Sequence, residues 1–309
     1  MDYVSLNGQM VPYEDAGISV GDAGFLHGAG LFETMRAHKR KVFRLADHVE
    51  RLMKSAAELG LAASLGARQV AEMIDELLEA NDLADARIRL TVTRGAIHTP
   101  AASPGTPEDA EPDVTVLLTA AAFTPYPAAL YDKGMVTVIS NCKQNPANPL
   151  TGHKTTSYMD RLLALRAAQR AGAGEALWFT PGNETLAEGS ISNVFIVDKQ
   201  GLLATPPLMV RQVRPDGSKS ECRLCLPGIT RRVVLEIAND LGMIVHERAI
   251  TIEELLEAPE VFLTNAVMGV MPVVRIEMHA VGGGAVGDIT RQVLEGHRAR
   301  VEKECGESK

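Results

Sequence analysis

The chain has 309 residues, and 31 Lys and Arg stand against 39 Asp and Glu, which gives a formal net charge of −8. This acidic balance, with 46% hydrophobic and 23% charged residues, excludes wholesale disorder and argues against a nucleic-acid-binding protein, which needs a basic surface. The length favours two domains, no apolar run approaches the ~20 residues that span a bilayer, and the N-terminus lacks signal-peptide features, so we expect a cytoplasmic protein with no membrane partner.

The first third of the chain alternates strands and helices. Asn7-Gly8 predicts a tight hairpin turn, and apolar residues at helical spacing predict two helices. Residues 99–112, rich in Pro, Ala and acidic residues, predict a flexible surface loop. In chain order, the predicted elements are a strand pair in 2–11, helices at 45–60 and 70–82, and strands at 87–93 and 114–120.

Two prolines, Pro125 and Pro127, predict a boundary because neither helix nor strand tolerates them in its interior. The predicted domains are therefore 1–122 and 131–309, joined by a linker at 123–130. In the second domain strands outnumber helices. The predicted strands are 135–140, 175–180, 191–197, 201–204 and 260–264, and the predicted helices are 157–171, 230–241 and 288–303.

Four cysteines in so long a chain do not form a disulfide framework. Cys222 and Cys225 form a C-x-x-C, but a zinc site needs about four ligands and the neighbouring residues offer none, so we expect no metal. The pair lies in segment 208–225, which also carries several basic residues. This segment predicts a solvated loop, and a flap over a site is the alternative.

Two segments carry residues suited to covalent chemistry on an amine. Lys154 stands between a Gly-containing loop and a predicted helix, where partial desolvation would lower the amine pKa as a Schiff-base nucleophile requires. Glu188 precedes Gly189 and an apolar strand, so its carboxylate is placed to be buried against a cation such as a protonated pyridine. Taken alone, either residue could also be an ordinary solvated side chain.

Two further segments suit a phosphate. A Gly-containing turn delivers Thr230 to a helix start, where free backbone N–H groups and the helix dipole attract anions. Arg51, on the first predicted helix, carries a guanidinium that can donate two hydrogen bonds to a phosphate. The alternatives are a plain helix cap and a solvated arginine.

Together, in this order and spacing, these segments resemble the fold-type IV pyridoxal-phosphate enzymes, the class IV aminotransferase superfamily. The resemblance runs from about residue 3 to residue 285 and includes segments 24–34 and 262–273. It implies a mixed α/β (α+β) fold of two domains, a small α/β domain plus a larger pseudo-barrel domain, with pyridoxal 5′-phosphate as cofactor.

The resemblance also implies roles for single residues. Lys154 would carry the cofactor and shuttle the substrate proton, Glu188 would bond the pyridine nitrogen, and Tyr158 would contact the O3′ oxygen. The residues that would hold the phosphate are Arg51, Ile229, Thr230 and either Thr264 or Asn265. The candidate substrate contacts are Phe32, Thr34 and Arg94.

Details of these motifs favour one branch of the family. Thr34, the Lys154-to-Tyr158 spacing and Asn265 resemble 4-amino-4-deoxychorismate lyase, which releases pyruvate to give 4-aminobenzoate. The alternative is an aminotransferase that acts on branched-chain or D-amino acids with 2-oxoglutarate, although the Arg-x-His carboxylate trap of the D-amino-acid enzymes is missing after Arg94. By the same resemblance we expect a symmetric homodimer in which segment 24–34 walls the substrate pocket and the neighbouring subunit completes it.

Overall fold

The computed structural model describes residues 1–96, 114–213 and 217–306. Its contacts divide the chain into two units. The first contains the described part of 1–124, segment 153–157 and the chain from Glu302, and the second contains 125–152 and 158–301. The change at 124/125 falls inside the predicted linker, whereas the two later segments of the first unit lie in the stretch that the sequence placed in the second domain. The predicted loop 99–112 lies outside the described residues.

The first unit is a six-stranded antiparallel sheet with two long helices. Its elements are β1 (Tyr3–Leu6), β2 (Gln9–Pro12), α1 (Ala23–His27), β3 (Gly30–His38), β4 (Lys41–Val42), α2 (Leu45–Glu58), α3 (Ala67–Ala80), β5 (Ala86–Thr93) and β6 (Thr115–Ala122). The strand order is β2-β1-β6-β5-β3-β4. The β1–β2 hairpin turns at Asn7 and Gly8, both at positive φ, which confirms the turn that the Asn-Gly pair predicts.

The helices α2 and α3 confirm the predictions from helical spacing. Each presents an apolar stripe to the sheet, and Leu52 on α2 and Ile74 on α3 are almost completely buried in the same core. Fully burying side chains of this size contributes about 1.5–3 kcal/mol each. The long strand β3 was not predicted, although it carries Phe32 and Thr34, two of the candidate substrate contacts.

The second unit is a mixed sheet with helices packed on it. Its elements are α4 (Ala128–Lys133), β7 (Met135–Lys143), α5 (Met159–Arg170), β8 (Glu175–Phe179), β9 (Leu186–Gly189), β10 (Asn193–Val197), β11 (Leu203–Thr205), β12 (Met209–Val213), β13 (Lys219–Arg223), α6 (Ile229–Asp240), β14 (Val245–Glu247), α7 (Ile252–Leu256), β15 (Glu260–Asn265), β16 (Gly269–Ile276), β17 (His279–Ala280) and α8 (Asp288–Gly306), of which the part up to Val301 belongs to this unit. The main strand order is β14-β11-β10-β15-β16-β7-β8-β9.

The centre of this sheet is apolar on both faces, as in sheets that are covered on both sides. Every residue of β8 and β10 is buried, and Phe195 stacks on Phe262 of β15 at 5.0 Å between ring centroids. The apolar stripe of α6 packs here through Val234 and Ala238. These rigid strands end at the polar residues that form the second part of the candidate site.

Segment 208–225 corrects the sequence prediction of a solvated loop. It folds into a two-stranded antiparallel ribbon, β12 with β13, in which Arg211 stands opposite Glu221. Polar residues on both strands obscure the alternation that normally marks a strand, which is why the pattern favoured a loop. Gly217, at positive φ, lies two residues before the return strand.

Every helix in the described ranges is too short or too polar to cross a bilayer.

Candidate active site

Lys154 is held by backbone pairing with β3. Phe32 N–H donates to the Lys154 carbonyl at 2.8 Å, and Thr156 N–H donates to the Gly30 carbonyl at 2.8 Å. An isolated bridge joins Leu31 and Thr155 between these two bonds. The lysine is therefore fixed to a buried strand at its own peptide, which explains why segment 153–157 belongs to the first unit.

The side chain of Lys154 lies over an aromatic ring. Its Nζ is 4.5 Å from the centroid of the Phe32 ring, and the residue is half-buried. The guanidinium carbon of Arg89 lies 3.8 Å from the centroid of the same ring. A cation over a ring face gains electrostatic stabilisation, so the amine of Lys154 is positioned rather than freely solvated.

Two other predicted substrate residues lie on the same sheet. Thr34 is half-buried and follows Phe32 by two residues on β3, so both side chains stand on one face of the strand. Arg94 follows β5, its side chain is exposed, and its backbone N–H donates to the Ala29 carbonyl. The structure thus places Thr34 beside Phe32, while Arg94 stands at the end of the neighbouring strand.

Arg51 is almost completely buried and paired with a carboxylate that the sequence did not reveal. Its Nε donates to Glu33 Oε1 at 2.7 Å, and one terminal nitrogen donates to Glu33 Oε2 at 2.5 Å. His48, one turn earlier on α2, contacts the same carboxylate from Nδ1 at 2.7 Å. The solvated-arginine alternative is therefore wrong, because the guanidinium is fixed along one edge.

The charges of this buried group are ordered. Burial alone would raise the pKa of Glu33, but Arg51 and His48 outweigh it and hold that pKa at about 2. Burial lowers the pKa of His48, and together with the charges of Arg51 and Lys154 it outweighs the raising effect of Glu33. At neutral pH Glu33 is therefore a carboxylate, His48 is neutral and donates from Nδ1, and Arg51 is the cation.

Glu188 is a buried carboxylate, 2% exposed, on β9 opposite Trp178. Its Oε1 accepts from Arg161 at 2.6 Å and from the Gln144 amide at 3.4 Å, and its Oε2 accepts from Leu226 N–H at 3.0 Å. The strand-edge alternative, an acid facing water, is therefore wrong. A carboxylate has about four positions that can accept hydrogen bonds, and these donors use three of them. Glu188 can therefore accept from one more N–H group.

Tyr158 lies beside this carboxylate at the start of α5. Its hydroxyl donates to the Ser190 carbonyl at 3.0 Å, and burial raises the pKa of the phenol to about 12. Arg161 donates to the same carbonyl at 3.2 Å, and its guanidinium carbon lies 5.8 Å from the Tyr158 ring centroid. Tyr158 is therefore neutral and oriented through Ser190.

A second buried carboxylate fixes the turn after Glu188. Glu175 accepts from the backbone N–H groups of Ser190 and Ile191, at 3.0 and 3.2 Å, and from the Ser192 hydroxyl at 2.8 Å. Burial raises its pKa more than these bonds lower it. Because Ser190 orients Tyr158, Glu175 supports the site without belonging to its surface.

The start of α6 has the form expected of an anion site. Its N-cap is Gly228, so no side chain caps the first turn, and Ile229 and Thr230 are buried there. The Asn193 side chain donates to the Leu226 carbonyl, and a Cβ on Gly228 would lie 1.9 Å from Asn193 Oδ1. Only glycine fits this approach, which brings the helix start against β10.

Thr264 adds a hydroxyl beside the same strand. It stands opposite Asn193 in the β10–β15 register and is 1% exposed, and its Oγ1 has no hydrogen-bond partner among the described residues. A buried hydroxyl without a partner is costly, and a phosphate oxygen would supply a partner. Asn265, the other phosphate candidate, already accepts from Val267 N–H and Met268 N–H. The geometry favours Thr264.

The two cysteines of the C-x-x-C have separate environments. Cys225 is buried with its Sγ against the Pro207 carbonyl, and burial strongly raises the pKa of its thiol. Cys222 is half-buried, with Sγ 3.6 Å from the Ser220 hydroxyl. Within residues 1–96, 114–213 and 217–306, no group of three or more His, Cys, Asp or Glu side chains is arranged to hold a metal ion.

Sequence reasoning missed the residues that position others. They are Glu33, His48, Gln144, Arg161 and Glu175. Two weak signals could have found some of them, since His48 and Arg51, and likewise Tyr158 and Arg161, are three residues apart and share a helix face. No local pattern marks a Gln or Glu that becomes buried through distant strands.

The residues present fit pyridoxal 5′-phosphate. The second unit offers a helix start without a side-chain cap, an unpartnered hydroxyl at Thr264 and a buried carboxylate at Glu188 for a ring nitrogen. The first unit offers an oriented amine at Lys154 and an oriented guanidinium at Arg51. Within the second unit these groups suit the phosphate and the pyridine nitrogen of that cofactor, and within the first unit the amine suits its aldehyde.

Comparisons with known proteins agree with this chemistry. A profile of the family described as amino-transferase class IV matches residues 30–276. A Methanocaldococcus jannaschii protein, provisionally assigned as a branched-chain-amino-acid aminotransferase, is 32% identical over 94% of both chains. D-alanine aminotransferase of Staphylococcus haemolyticus is 29% identical over 98% of this chain and 99% of its own.

Solved structures give the same result for the fold. The Escherichia coli branched-chain amino acid aminotransferase superposes with a TM-score of 0.83 at 27% identity, covering 95% of this chain and 92% of the other. A Legionella pneumophila structure, provisionally assigned as 4-amino-4-deoxychorismate lyase, superposes with a TM-score of 0.77 at 24% identity over 93% and 97% of the two chains. The second likeness supports the shared fold alone.

Proposed function

The chain belongs to the class IV aminotransferase family, a family of pyridoxal-phosphate-dependent enzymes with the fold-type IV architecture, and on this premise we propose that it is an amino acid aminotransferase. It would transfer the amino group of a branched-chain or D-amino acid to 2-oxoglutarate. The observation that carries the choice is that the relatives matched over nearly their whole length are aminotransferases. The lyase that the sequence details favoured has support only from those details and from a shared fold.

The cofactor would be held at its two ends by residues already fixed in the structure. The first turn of α6 at Ile229 and Thr230, the Thr264 hydroxyl and the Arg51 guanidinium would bind the phosphate. Glu188 would accept from the protonated ring nitrogen. Pyridoxal 5′-phosphate, when bound, attaches the substrate amine and withdraws electrons from the carbon that carries it.

Lys154 would then move the proton. Its Nζ would accept the proton from the substrate carbon that carries the amine and return it to the carbon on the other side of the amine nitrogen. Phe32, beneath the amine, would hold Nζ in place and exclude water from one side. Tyr158 would orient the oxygen substituent of the cofactor ring, because its position is fixed through Ser190.

We also propose that the enzyme assembles as a homodimer through the N-terminal segment of the first unit. Phe25 and Leu26 of α1 are 74% and 51% exposed, and Val20 just before them is 83% exposed. Exposed apolar groups in one short segment are typical of an interface. Sizing at assay concentration, with Phe25→Ser as the variant, tests this, since a monomer with full activity would contradict it. The cytoplasmic location also remains a prediction.

The decisive experiment compares two reactions on one preparation. Purified protein loaded with pyridoxal 5′-phosphate is incubated with 2-oxoglutarate and L-leucine, L-valine or D-alanine, and glutamate is measured. In parallel, 4-amino-4-deoxychorismate is supplied and pyruvate is measured. We expect glutamate from at least one amino acid, lost in Lys154→Ala. Pyruvate release without glutamate formation would replace the aminotransferase by the lyase.

A further inference from the structure

Arg161 bridges the carboxylate of Glu188 and the turn that follows it. One terminal nitrogen donates to Glu188 Oε1 at 2.6 Å and to Gln144 Oε1 at 3.2 Å, and the other donates to the carbonyls of Gly189 and Ser190, both at 3.2 Å. The guanidinium carbon lies 5.3 Å from the Trp178 ring centroid. These hydrogen bonds and this ring contact fix the guanidinium of Arg161 in one orientation.

Arg161 is the charged partner of Glu188. Among the described residues that hydrogen-bond to this carboxylate, the other two donors are the Gln144 amide and the Leu226 backbone N–H, both neutral. Tyr158 and Cys225, the nearby titratable groups, are neutral because burial raises the pKa of each. Burial lowers the pKa of Arg161, but the charge and hydrogen bond of Glu188 raise it by a larger amount. The guanidinium therefore keeps its charge.

A carboxylate with 2% exposure is costly to ionise without a counter-charge. An ionised Glu188 can only accept, so its bonding partner must bring the proton. A neutral Glu188 would carry its own proton and donate it. The protonation state of the carboxylate thus determines whether a pyridine nitrogen beside it is held protonated or unprotonated. A protonated pyridine ring withdraws electrons far better than an unprotonated one.

We propose that Arg161 is a positioning residue that aims Glu188 and supplies its counter-charge, so that Glu188 holds the ring nitrogen of the cofactor in its protonated form. This rests on the proposed function, in which Glu188 meets that nitrogen. Arg161 itself does not touch the reacting atoms. Its contribution passes through Glu188, and this dependence makes the proposal testable by paired substitution.

The test uses a double-mutant cycle on full-length protein loaded with pyridoxal 5′-phosphate labelled with ¹⁵N in the ring. The variants are Arg161→Gln, Glu188→Gln and the double variant, with Arg166→Gln, an exposed arginine of the same helix, as matched control. The ring ¹⁵N chemical shift reports the protonation state directly, and turnover is measured beside it. Arg161→Lys keeps the positive charge but loses the two-nitrogen hydrogen bonding of the guanidinium.

We expect the ¹⁵N signal of wild type, Arg166→Gln and Arg161→Lys to report a protonated nitrogen, and that of Arg161→Gln an unprotonated one. Turnover should fall ~10²-fold in Arg161→Gln. In the Glu188→Gln background the same substitution should change turnover less than about threefold, since Arg161 acts through Glu188. Equal losses in both backgrounds, or a protonated nitrogen in Arg161→Gln, would overturn the proposal.

Two outcomes separate this proposal from the proposed function. If wild type binds no cofactor, the function itself fails. If wild type carries a protonated ring and Arg161→Gln does also, Arg161 is structural and the function stands. Should Arg161→Gln fail to fold, the double variant, which leaves no buried charge, is compared with Glu188→Gln, and turnover that differs between them by more than about threefold overturns the proposal.

Discussion

Glu33 and Arg51, 18 residues apart, form a two-point ion pair in which Nε and a terminal nitrogen of the guanidinium each donate to one carboxylate oxygen. Glu33 is 1% exposed, and His48 supplies a third bond to it. The pair fixes the arginine that we assign to the phosphate, so it links the stability of the first unit to cofactor binding.

This pair predicts acid sensitivity with a defined sign. Glu33 has a pKa of about 2 in the folded protein against an ordinary 4.5, so its contribution is complete above pH 4.5 and is lost as the pH falls toward 2. The shift corresponds to about 3 kcal/mol. The lowered pKa of His48 acts in the same direction, beginning below its ordinary 6.5. Glu33→Gln should remove the part of the decline below pH 4.5.

Urea unfolding at several pH values from 7 to 3 measures this effect. The control is Glu72→Gln, which removes an exposed carboxylate paired with Arg68 on α3 and should cost less than about 1 kcal/mol. Glu33→Gln should also weaken cofactor binding, because Arg51 loses its orientation. A variant with unchanged stability at pH 7 and an unchanged acid limb would show that the pair is unimportant.

Lys154 is expected to be the attachment point of the cofactor. Borohydride reduction of the loaded, coloured protein should fix the cofactor on the peptide containing Lys154, and Lys154→Ala should lose activity by ~10⁴-fold, the upper range for a positioned acid–base group. Lys199→Ala, which removes an exposed lysine paired with Glu257, should behave as wild type. Label recovered on any other lysine contradicts the assignment.

Much of the fold was predictable where local chemistry decides it. The Asn7-Gly8 turn needs positive φ at both residues, and the apolar stripes of α2 and α3 follow from spacing alone. The β12–β13 ribbon was not predictable, since its strands mix polar and apolar residues without alternation and pair with each other rather than with the main sheet.

The candidate site divides in the same way. Lys154, Glu188 and Thr230 stand in segments whose composition is unusual for packing, so the sequence reveals them. Arg161 and Glu188 are 27 residues apart and meet through the pairing of β8 with β9 and the placement of α5, which no local pattern encodes. Positioning residues therefore emerge only from the structure.

Gly228→Ala is expected to damage the anion site at the start of α6. A Cβ there would lie 1.9 Å from Asn193 Oδ1, so either Asn193 or the first helical turn must move. We expect ~10-fold weaker cofactor binding, about 1.4 kcal/mol, in equilibrium dialysis. Gly66→Ala is the matched control, because Gly66 also caps a helix, at a similar φ, with nothing within 4 Å of its Cβ position. Equal affinities in the two variants would refute the assignment.

Thr264→Val should change stability in opposite directions with and without cofactor. The Thr264 hydroxyl is buried and lacks a partner among the described residues, so replacing it by a methyl should stabilise the cofactor-free protein by about 1 kcal/mol. If the hydroxyl binds the phosphate, the same change should weaken cofactor binding and reduce the stabilisation that saturating cofactor provides.

Thr137→Val is the control, since Thr137 on β7 is equally buried with an unpartnered hydroxyl and has no assigned ligand. Both variants should gain stability without cofactor in thermal unfolding. Only Thr264→Val should lose cofactor affinity, and a loss in both or in neither would remove Thr264 from the phosphate site.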